Sequence, residues 1–284
     1  MGRIIKGKPV ADAITETLIK EVSNLKIQGV IPNVVIIRVG AKGNDLAYEK
    51  GILKICSKIG IKVYVKELPE DVSQNQFIQE LKKFNEDKSV NGIMVFRPLP
   101  EHLDESIIKY IIEPEKDVDC FNPINLAKIM SEDNTGFAPC TPCAVMEILK
   151  YYNISIEGKL SVVIGRSMVV GKPMSMLLLN KNSTVTICHS KTVDLSKVCS
   201  QADILIVGIG KAKMIDSRYI KDGAVVIDVG INVDEYGNLY GDVDMESCEL
   251  KDPVITPVPG GVGSVTSSIL AQHIVKACRH QNNL

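Results

Sequence analysis

The sequence has no surplus of either charge. Its 284 residues carry 33 Lys plus Arg against 34 Asp plus Glu, a formal net charge of −1. A general nucleic-acid binder normally has a basic excess to meet phosphates, so no nucleic-acid partner is expected. No apolar run approaches the ~18 residues of a membrane span, and no membrane partner is expected either. The opening Met1-Gly2-Arg3-Ile4-Ile5-Lys6 lacks the apolar core of a signal peptide, and Lys6 stands where myristoylation favours Ser or Thr. A cytoplasmic protein is the expectation. The eight cysteines, at 56, 120, 140, 143, 188, 199, 248 and 278, have no disulfide-scaffold rhythm and read as small buried hydrophobes in a reducing compartment. Cys140-Thr141-Pro142-Cys143 has the CxxC spacing of a redox pair or half a zinc site. No second CxxC accompanies it, however, and His102, His189, His273 and His280 show no ligand-like spacing, so no metal is expected. Internal repeats and low-complexity tracts are also lacking.

What is present suits two domains with ordinary cores: 45% of residues are apolar and 24% charged. Val10, Ala13, Ile14, Leu18, Val22 and Leu25 have helical spacing over 10–28, and Val34 to Gly40 reads as a buried strand. A second helix is expected over about 45–59, with Leu46, Leu53, Ile55 and Ile59 among its apolar positions. A strand over 62–67, a helix near 74–86 and a strand over 92–96 follow. This alternation builds a largely parallel sheet covered on both faces. After Pro139-Cys140-Thr141-Pro142 and a helix over 143–151, a second series begins. Strands are expected at 160–165, 184–188, 204–207 and 225–229, with helices at 171–181 and 194–200 between them. These are the βαβ units of a dinucleotide-type domain. A last helix is expected over 264–280.

A dinucleotide loop needs small residues after a strand, so that backbone N–H groups can approach phosphate at a helix N-terminus. Gly165-Arg166-Ser167-Met168-Val169-Val170-Gly171 meets that need but departs from GxGxxG, with Ser at the second glycine position and the distal glycine one residue late. On spacing alone the signal is weak, and a plain strand-to-helix turn is the alternative. The stretch after the next strand says more. An NAD site places an acid about 20 residues beyond the first glycine, to take the ribose 2′-hydroxyl. Here Cys188-His189-Ser190-Lys191-Thr192 offers none before Asp194. With Arg166 supplying a positive fork, the pattern points to NADP, although a solvated surface could carry the same residues.

Several of these segments resemble one family. Gly158-Lys159, Gly165-Arg166-Ser167, Val170-Gly171-Lys172-Pro173 and Leu177-Leu178 are similar to the cofactor segment of methylenetetrahydrofolate dehydrogenase/cyclohydrolases. So are Lys116-Asp117-Val118-Asp119, Pro139-Cys140-Thr141-Pro142, Cys188-His189-Ser190-Lys191-Thr192 and Thr256-Pro257-Val258-Pro259-Gly260-Gly261-Val262-Gly263, in the same order. The resemblance implies two α/β domains with a cleft between them. The folate-binding one would span 1–138, with a C-terminal helix over 264–284 packing back on it, and the Rossmann-like NADP-binding one 139–263. It implies a homodimer formed through the cofactor domain and a role in one-carbon metabolism: oxidation of 5,10-methylenetetrahydrofolate to the methenyl form. Gly165, Arg166, Ser167, His189, Ser190 and Ile231 fall where the family meets the dinucleotide. Asp119 falls on the carboxylate that holds the pteridine, Tyr48 on the tyrosine lining the folate pocket, and Pro259, Gly260 and Gly261 on the stretch near the nicotinamide. Taken alone, Asp119 would pass for a helix cap and Tyr48 for a core aromatic.

The sequence also departs from the family. A lysine four residues after the tyrosine serves the hydrolysis step, but here that position is Ile52. Lys54, at +6, would lie about 240° around the helix from Tyr48 and is a poor replacement. The family's glutamine at the end of the 92–96 strand is Phe96. A dehydrogenase with a weak or lost cyclohydrolase step is therefore expected. The alternatives are a fully bifunctional enzyme, with Lys54 or a water standing in, and a non-catalytic folate- or nucleotide-binding regulator.

Overall fold

The computed structural model describes residues 2–284, the side chain of Asn44 excepted, and opens on a strand too short to leave a sequence signature, β1 (Arg3–Ile4). It leads into α1 (Gly7–Ile27), whose Val10, Leu18, Val22 and Leu25 are buried. Then come β2 (Asn33–Val39), α2 (Gly43–Ile59), β3 (Lys62–Leu68), α3 (Gln74–Glu86) and β4 (Gly92–Val95). Each helix of this series has a local stop or start. Gly60, with φ 93°, ends α2 by donating its N–H to the Cys56 carbonyl, and Ser73 and Gln76 form a capping box at the start of α3. Two short helices, α4 (Glu105–Ile108) and α5 (Pro123–Met130), precede α6 (Cys140–Tyr151), which starts at the cysteine itself, three residues before the position read from sequence.

The second series is β5 (Leu160–Ile164), α7 (Gly171–Leu179), β6 (Thr184–Cys188), α8 (Leu195–Cys199), β7 (Ile204–Val207) and β8 (Val225–Asp228). It continues through a small hairpin of β9 (Asn232–Val233) and β10 (Leu239–Tyr240), then α9 (Met245–Cys248), β11 (Val254–Ile255) and α10 (Thr266–Gln281).

These elements sort into two compact units. An N-terminal unit holds Ala13–Cys140 and Ser267–Leu284, and a C-terminal unit holds Met1–Asp12 and Thr141–Thr266. The segment before Ala13 thus goes with the second series. The reason is hydrogen bonding, since β1 pairs in parallel with β11 and the Gly7 N–H donates to the Gly260 carbonyl at 2.8 Å. Gly7 also has no room for a Cβ, which would strike the Gly261 carbonyl oxygen.

The N-terminal unit is built on a parallel three-stranded sheet in the order β3-β2-β4. Its core packs Val35, Ile37, Phe77, Leu81, Ile93 and Val95. On α2 the buried stripe is Ile52, Cys56 and Ile59, whereas Leu46 and Leu53, read as apolar-face positions, are exposed at 39% and 37%. The C-terminal unit is a parallel six-stranded sheet in the order β1-β11-β8-β7-β5-β6. The central strands β5, β7 and β8 read as near-continuous apolar runs because both faces are covered.

Candidate active site

Open parallel sheets bind ligands beyond the carboxyl ends of their strands, where the strand order reverses and adjacent connections leave on opposite faces. In the C-terminal unit this switch lies between β5 and β7. The loop after β5 begins at Gly165, whose φ is 135° and whose missing Cβ would sit 2.6 Å from the Gly208 carbonyl, just after β7. A Cβ on Gly171, the first residue of α7, would strike the Gly165 carbonyl oxygen. The loop therefore turns tightly onto the N-terminus of α7, which requires glycine at both ends. Between them Arg166 and Ser167 are exposed. The Ser167 hydroxyl accepts from the Val170 and Gly171 N–H groups at 3.0 and 3.4 Å, so it holds the turn as well as facing solvent. After β6, His189 accepts the Lys191 N–H on Nδ1 at 3.1 Å and donates its own backbone N–H to Thr192 Oγ1 at 2.9 Å. Ser190 and Lys191 are exposed beside it.

In the same unit Ile231, Pro259, Gly260 and Gly261 line one depression with Asp228, Gly230 and Leu239, with a volume of about 230 Å³. That is smaller than the roughly 300–1,000 Å³ that encloses a whole small ligand, and suits a single ring. Ile231 is 62% exposed at its edge. Two buried carboxylates hold the walls. Asp228 Oδ1 accepts from the Gly230 and Asp242 N–H groups at 2.9 and 3.1 Å, and Oδ2 from the Val243 N–H at 2.8 Å. Asp242 accepts from the N–H groups of Ile209, Gly210 and Lys211 at 2.7, 3.0 and 2.8 Å, and from the Asn232 amide at 2.9 Å. Burial pushes the Asp228 carboxyl up to about 6.

The N-terminal unit repeats the logic with its switch between β2 and β4. Beside β4 runs the segment Lys116-Asp117-Val118-Asp119, joined to the sheet by a parallel bridge from Ile93 to Asp117. Three of its residues are structural. The Lys116 ammonium donates to the carbonyls of Phe84, Asn85 and Asp87 at 3.1, 2.7 and 2.7 Å, closing the C-terminus of α3. Asp117 accepts from the Phe121 and Asn122 N–H groups, both at 2.8 Å, and from the Asn125 amide at 2.9 Å; burial pushes its carboxyl up to about 6. The Val118 carbonyl accepts from Nδ1 of the buried His273 on α10 at 2.9 Å. Asp119 is then presented at the carboxyl end of the sheet, its Oδ1 accepting from the Cys140 N–H at 3.4 Å.

Opposite stands α2, fixed to the sheet by Arg38. This buried guanidinium reaches Glu49 on α2 and Glu67 on β3 at 2.8 Å each. Tyr48 precedes Glu49, and its ring lies 5.6 Å from that of Phe96, tilted by 32°. Ile52, one turn on, is fully buried, and Phe96 is 6% exposed. Lys54 is exposed. Sequence reasoning passed over Arg97. Its guanidinium lies 4.5 Å above the Phe121 ring and 3.7 Å from Asp119 Oδ2. The N-terminal unit thus brings Tyr48, Phe96, Arg97 and Asp119 to one end of its sheet, with an anionic acceptor and an aromatic wall. It places no acid–base side chain at position 52.

Family models decide the relationship: one for the tetrahydrofolate dehydrogenase/cyclohydrolase catalytic domain matches residues 5–119, and one for the NAD(P)-binding domain matches residues 139–282. The chain belongs to this family. The bifunctional protein FolD of Clostridium kluyveri is 76% identical over 284 residues, covering 100% of both chains. Among solved structures, the FolD dehydrogenase/cyclohydrolase of Campylobacter jejuni is 41% identical with a TM-score of 0.96, covering 100% of both chains. The Trypanosoma brucei methylenetetrahydrofolate dehydrogenase-cyclohydrolase, complexed with NADP cofactor and inhibitor, is 34% identical with a TM-score of 0.93, covering 100% of this chain and 99% of that one.

As a member of the tetrahydrofolate dehydrogenase/cyclohydrolase family, the chain has the expected two-domain α/β architecture with a Rossmann-like NAD(P)-binding domain. Of the residues missed in the sequence, Asp228, Asp242 and Arg97, the first and last share one signal: an ionisable group at the end of an apolar run. Asp228 ends Val225-Val226-Ile227, and Arg97 follows Met94-Val95-Phe96. Their partners lie too far along the chain for spacing to identify.

Proposed function

We propose that this protein oxidises 5,10-methylenetetrahydrofolate to the 5,10-methenyl form with NADP, and that its cyclohydrolase step is weak or lost. For the first half, the support is the pair of switch-point sites together with family membership. The glycine cradle of Gly165 and Gly171 fits a dinucleotide phosphate, because a Cβ at either would strike a backbone carbonyl and open the tight turn that leads onto the N-terminus of α7, where backbone N–H groups can approach it. Arg166 and Ser190, exposed beside that cradle with no acid before Asp194, suit the extra phosphate of NADP; the Trypanosoma brucei relative carries that cofactor. Gly165, Ser167 and His189 shape the loops, and Ile231, Pro259, Gly260 and Gly261 shelter the nicotinamide. When bound, NADP supplies the acceptor for the hydride of the methylene carbon. The chain's own work is to anchor and orient: Asp119 accepts hydrogen bonds from the pteridine N–H and amino groups, and Tyr48 lines the pocket against its ring.

The second half is carried by one observation. The position of the hydrolytic lysine is Ile52, fully buried, and Phe96 fills the glutamine position against Tyr48. Neither can move a proton, whereas hydride transfer requires no proton shuttle there. The curated relatives are named bifunctional, so the decisive experiment separates the two steps. Purified protein should reduce NADP with the folate substrate, yet add little to the buffer-driven decay of methenyltetrahydrofolate. Rapid enzymatic decay would restore the bifunctional reading, and no cofactor reduction at all would favour a regulator. We further infer a cytosolic homodimer formed through the cofactor unit, which sedimentation at about twice the 31.1 kDa chain mass would support.

A further inference from the structure

We propose that Arg97 is a positioning residue for folate recognition, holding the Asp119 carboxylate ready for the pteridine; this rests on the assignment of Asp119 above. Arg97 directly follows the buried run Met94-Val95-Phe96 at the end of β4. Its Nη2 stands 3.7 Å from Asp119 Oδ2, with the two side chains 21% and 22% exposed. That separation is an ion pair beyond hydrogen-bond length. The opposite oxygen, Oδ1, receives the long 3.4 Å approach of the Cys140 N–H. The carboxylate is therefore held from both sides while its lone pairs remain available to ring N–H and amino donors.

The cation is itself held. Its guanidinium carbon lies 4.5 Å above the Phe121 ring, and the Phe121 N–H is fixed at 2.8 Å to the buried Asp117. A planar guanidinium stacked on a ring has few alternative poses, so its charge sits in place before substrate arrives. Without it, a carboxylate in a partly desolvated pocket would turn towards water and have to be drawn back on binding. Arg97 acts through Asp119 and need not touch the folate.

The experiment compares Arg97→Met, Arg97→Lys, Asp119→Asn and the Arg97→Met/Asp119→Asn double variant in the full chain, using initial rates of NADP reduction and calorimetric titration with tetrahydrofolate. Arg97→Met keeps the stem on Phe121 and removes the charge. It should raise the folate KM and the tetrahydrofolate Kd roughly 5–10-fold, with kcat within about twofold and the NADP KM unchanged. Arg97→Lys should recover most of that loss. In the Asp119→Asn background, Arg97→Met should change nothing further. An unchanged folate KM in Arg97→Met, a lysine variant no better than methionine, or equal losses in both backgrounds would overturn the proposal. If Asp119→Asn alone leaves folate binding intact, the assignment of Asp119 fails and this inference falls with it. Melting curves for all four variants separate a folding defect from a binding one.

Discussion

On the proposed loss of the hydrolytic step, Ile52→Lys together with Phe96→Gln should raise hydrolysis, and the structure sets what each change costs. Ile52 is fully buried on α2, so Ile52→Lys alone gives up the roughly 1.5–3 kcal/mol of burying that side chain and places an ammonium where it must be desolvated. Phe96→Gln alone loses the 5.6 Å contact with Tyr48, worth about 0.5–1.5 kcal/mol, and buries an amide at a site that is 6% exposed. Made together, the amide oxygen can accept from the ammonium, and a hydrogen bond to a charged group offsets roughly 1.5–3 kcal/mol. The double variant should therefore be more stable than the sum of the singles predicts, which a thermodynamic cycle on denaturant midpoints would measure. Positioned acid–base groups contribute about 10²–10⁴-fold, so the enzymatic decay of methenyltetrahydrofolate, followed by its absorbance, should rise by at least about tenfold in the double variant and little in either single one. NADP reduction should persist throughout. A folded double variant that hydrolyses no faster than the unmodified protein would refute the reasoning, as would brisk hydrolysis by the unmodified protein; the search would then move to Lys54 or an ordered water near Tyr48.

The remaining predictions concern the cofactor site and the core. Arg166→Ala should raise the NADP KM about tenfold with little effect on NAD, because a charge-assisted phosphate contact contributes roughly 1.5–3 kcal/mol before solvent screening; equal losses with both cofactors would count against the phosphate role. Gly171→Ala should abolish dinucleotide binding while leaving tetrahydrofolate binding measurable by titration, since the added methyl strikes the Gly165 carbonyl; normal NADP kinetics would show that the cradle is more yielding than its geometry indicates. Burial lowers His273 to about 4, against about 6.5 unfolded, so the folded state favours the neutral ring; this stability is present above pH 6.5 and is lost as pH falls towards 4, by about 3 kcal/mol. Asp117 and Asp228, held at about 6, act with the opposite sign: each costs stability above pH 6 that is regained on acidification towards 4. The difference between wild type and His273→Gln across that range isolates the histidine, and parallel pH curves would refute its assignment.

The parallel βα alternation was legible because each strand is an apolar run and each helix follows a turn signal. The failures were local. On α2 two apolar stripes compete: Leu46 and Leu53 are seven residues apart on one, and Ile52, Cys56 and Ile59 follow i, i+4, i+7 on the other. Periodicity reveals both and cannot say which one meets the sheet. The structure buries the second, so the position that the resemblance gives to a lysine lies among buried residues. β1 and β11 have two residues each and no signature, and their pairing joins ends of the chain some 250 positions apart. Ser167 was legible as a cofactor-loop residue, but its hydroxyl's use in holding the turn depends on where the backbone folds. Within Lys116-Asp117-Val118-Asp119 the motif signals importance without dividing the labour. Only the three-dimensional hydrogen bonds separate Lys116 and Asp117, which build the segment, from Asp119, which it presents.

That division bears on how one step could be lost while the other survives. Asp119 depends on the segment beside β4, secured by Lys116 to the end of α3, by Asp117 to the start of α5 and by His273 from α10. None of these supports runs through Ile52 or Phe96. The position that the resemblance gives to the hydrolytic lysine instead lies on the buried face of α2, in one stripe with Cys56 and Ile59 and one turn after Tyr48, whose ring meets that of Phe96. A lysine there must be kept polar company inside an otherwise apolar stripe; removing it together with its amide partner leaves a well-packed core and no orphaned charge. Losing either one alone would strand the other. On this argument the two proposed replacements are compatible with one packed core, and Asp119, resting on different elements, does not register the change.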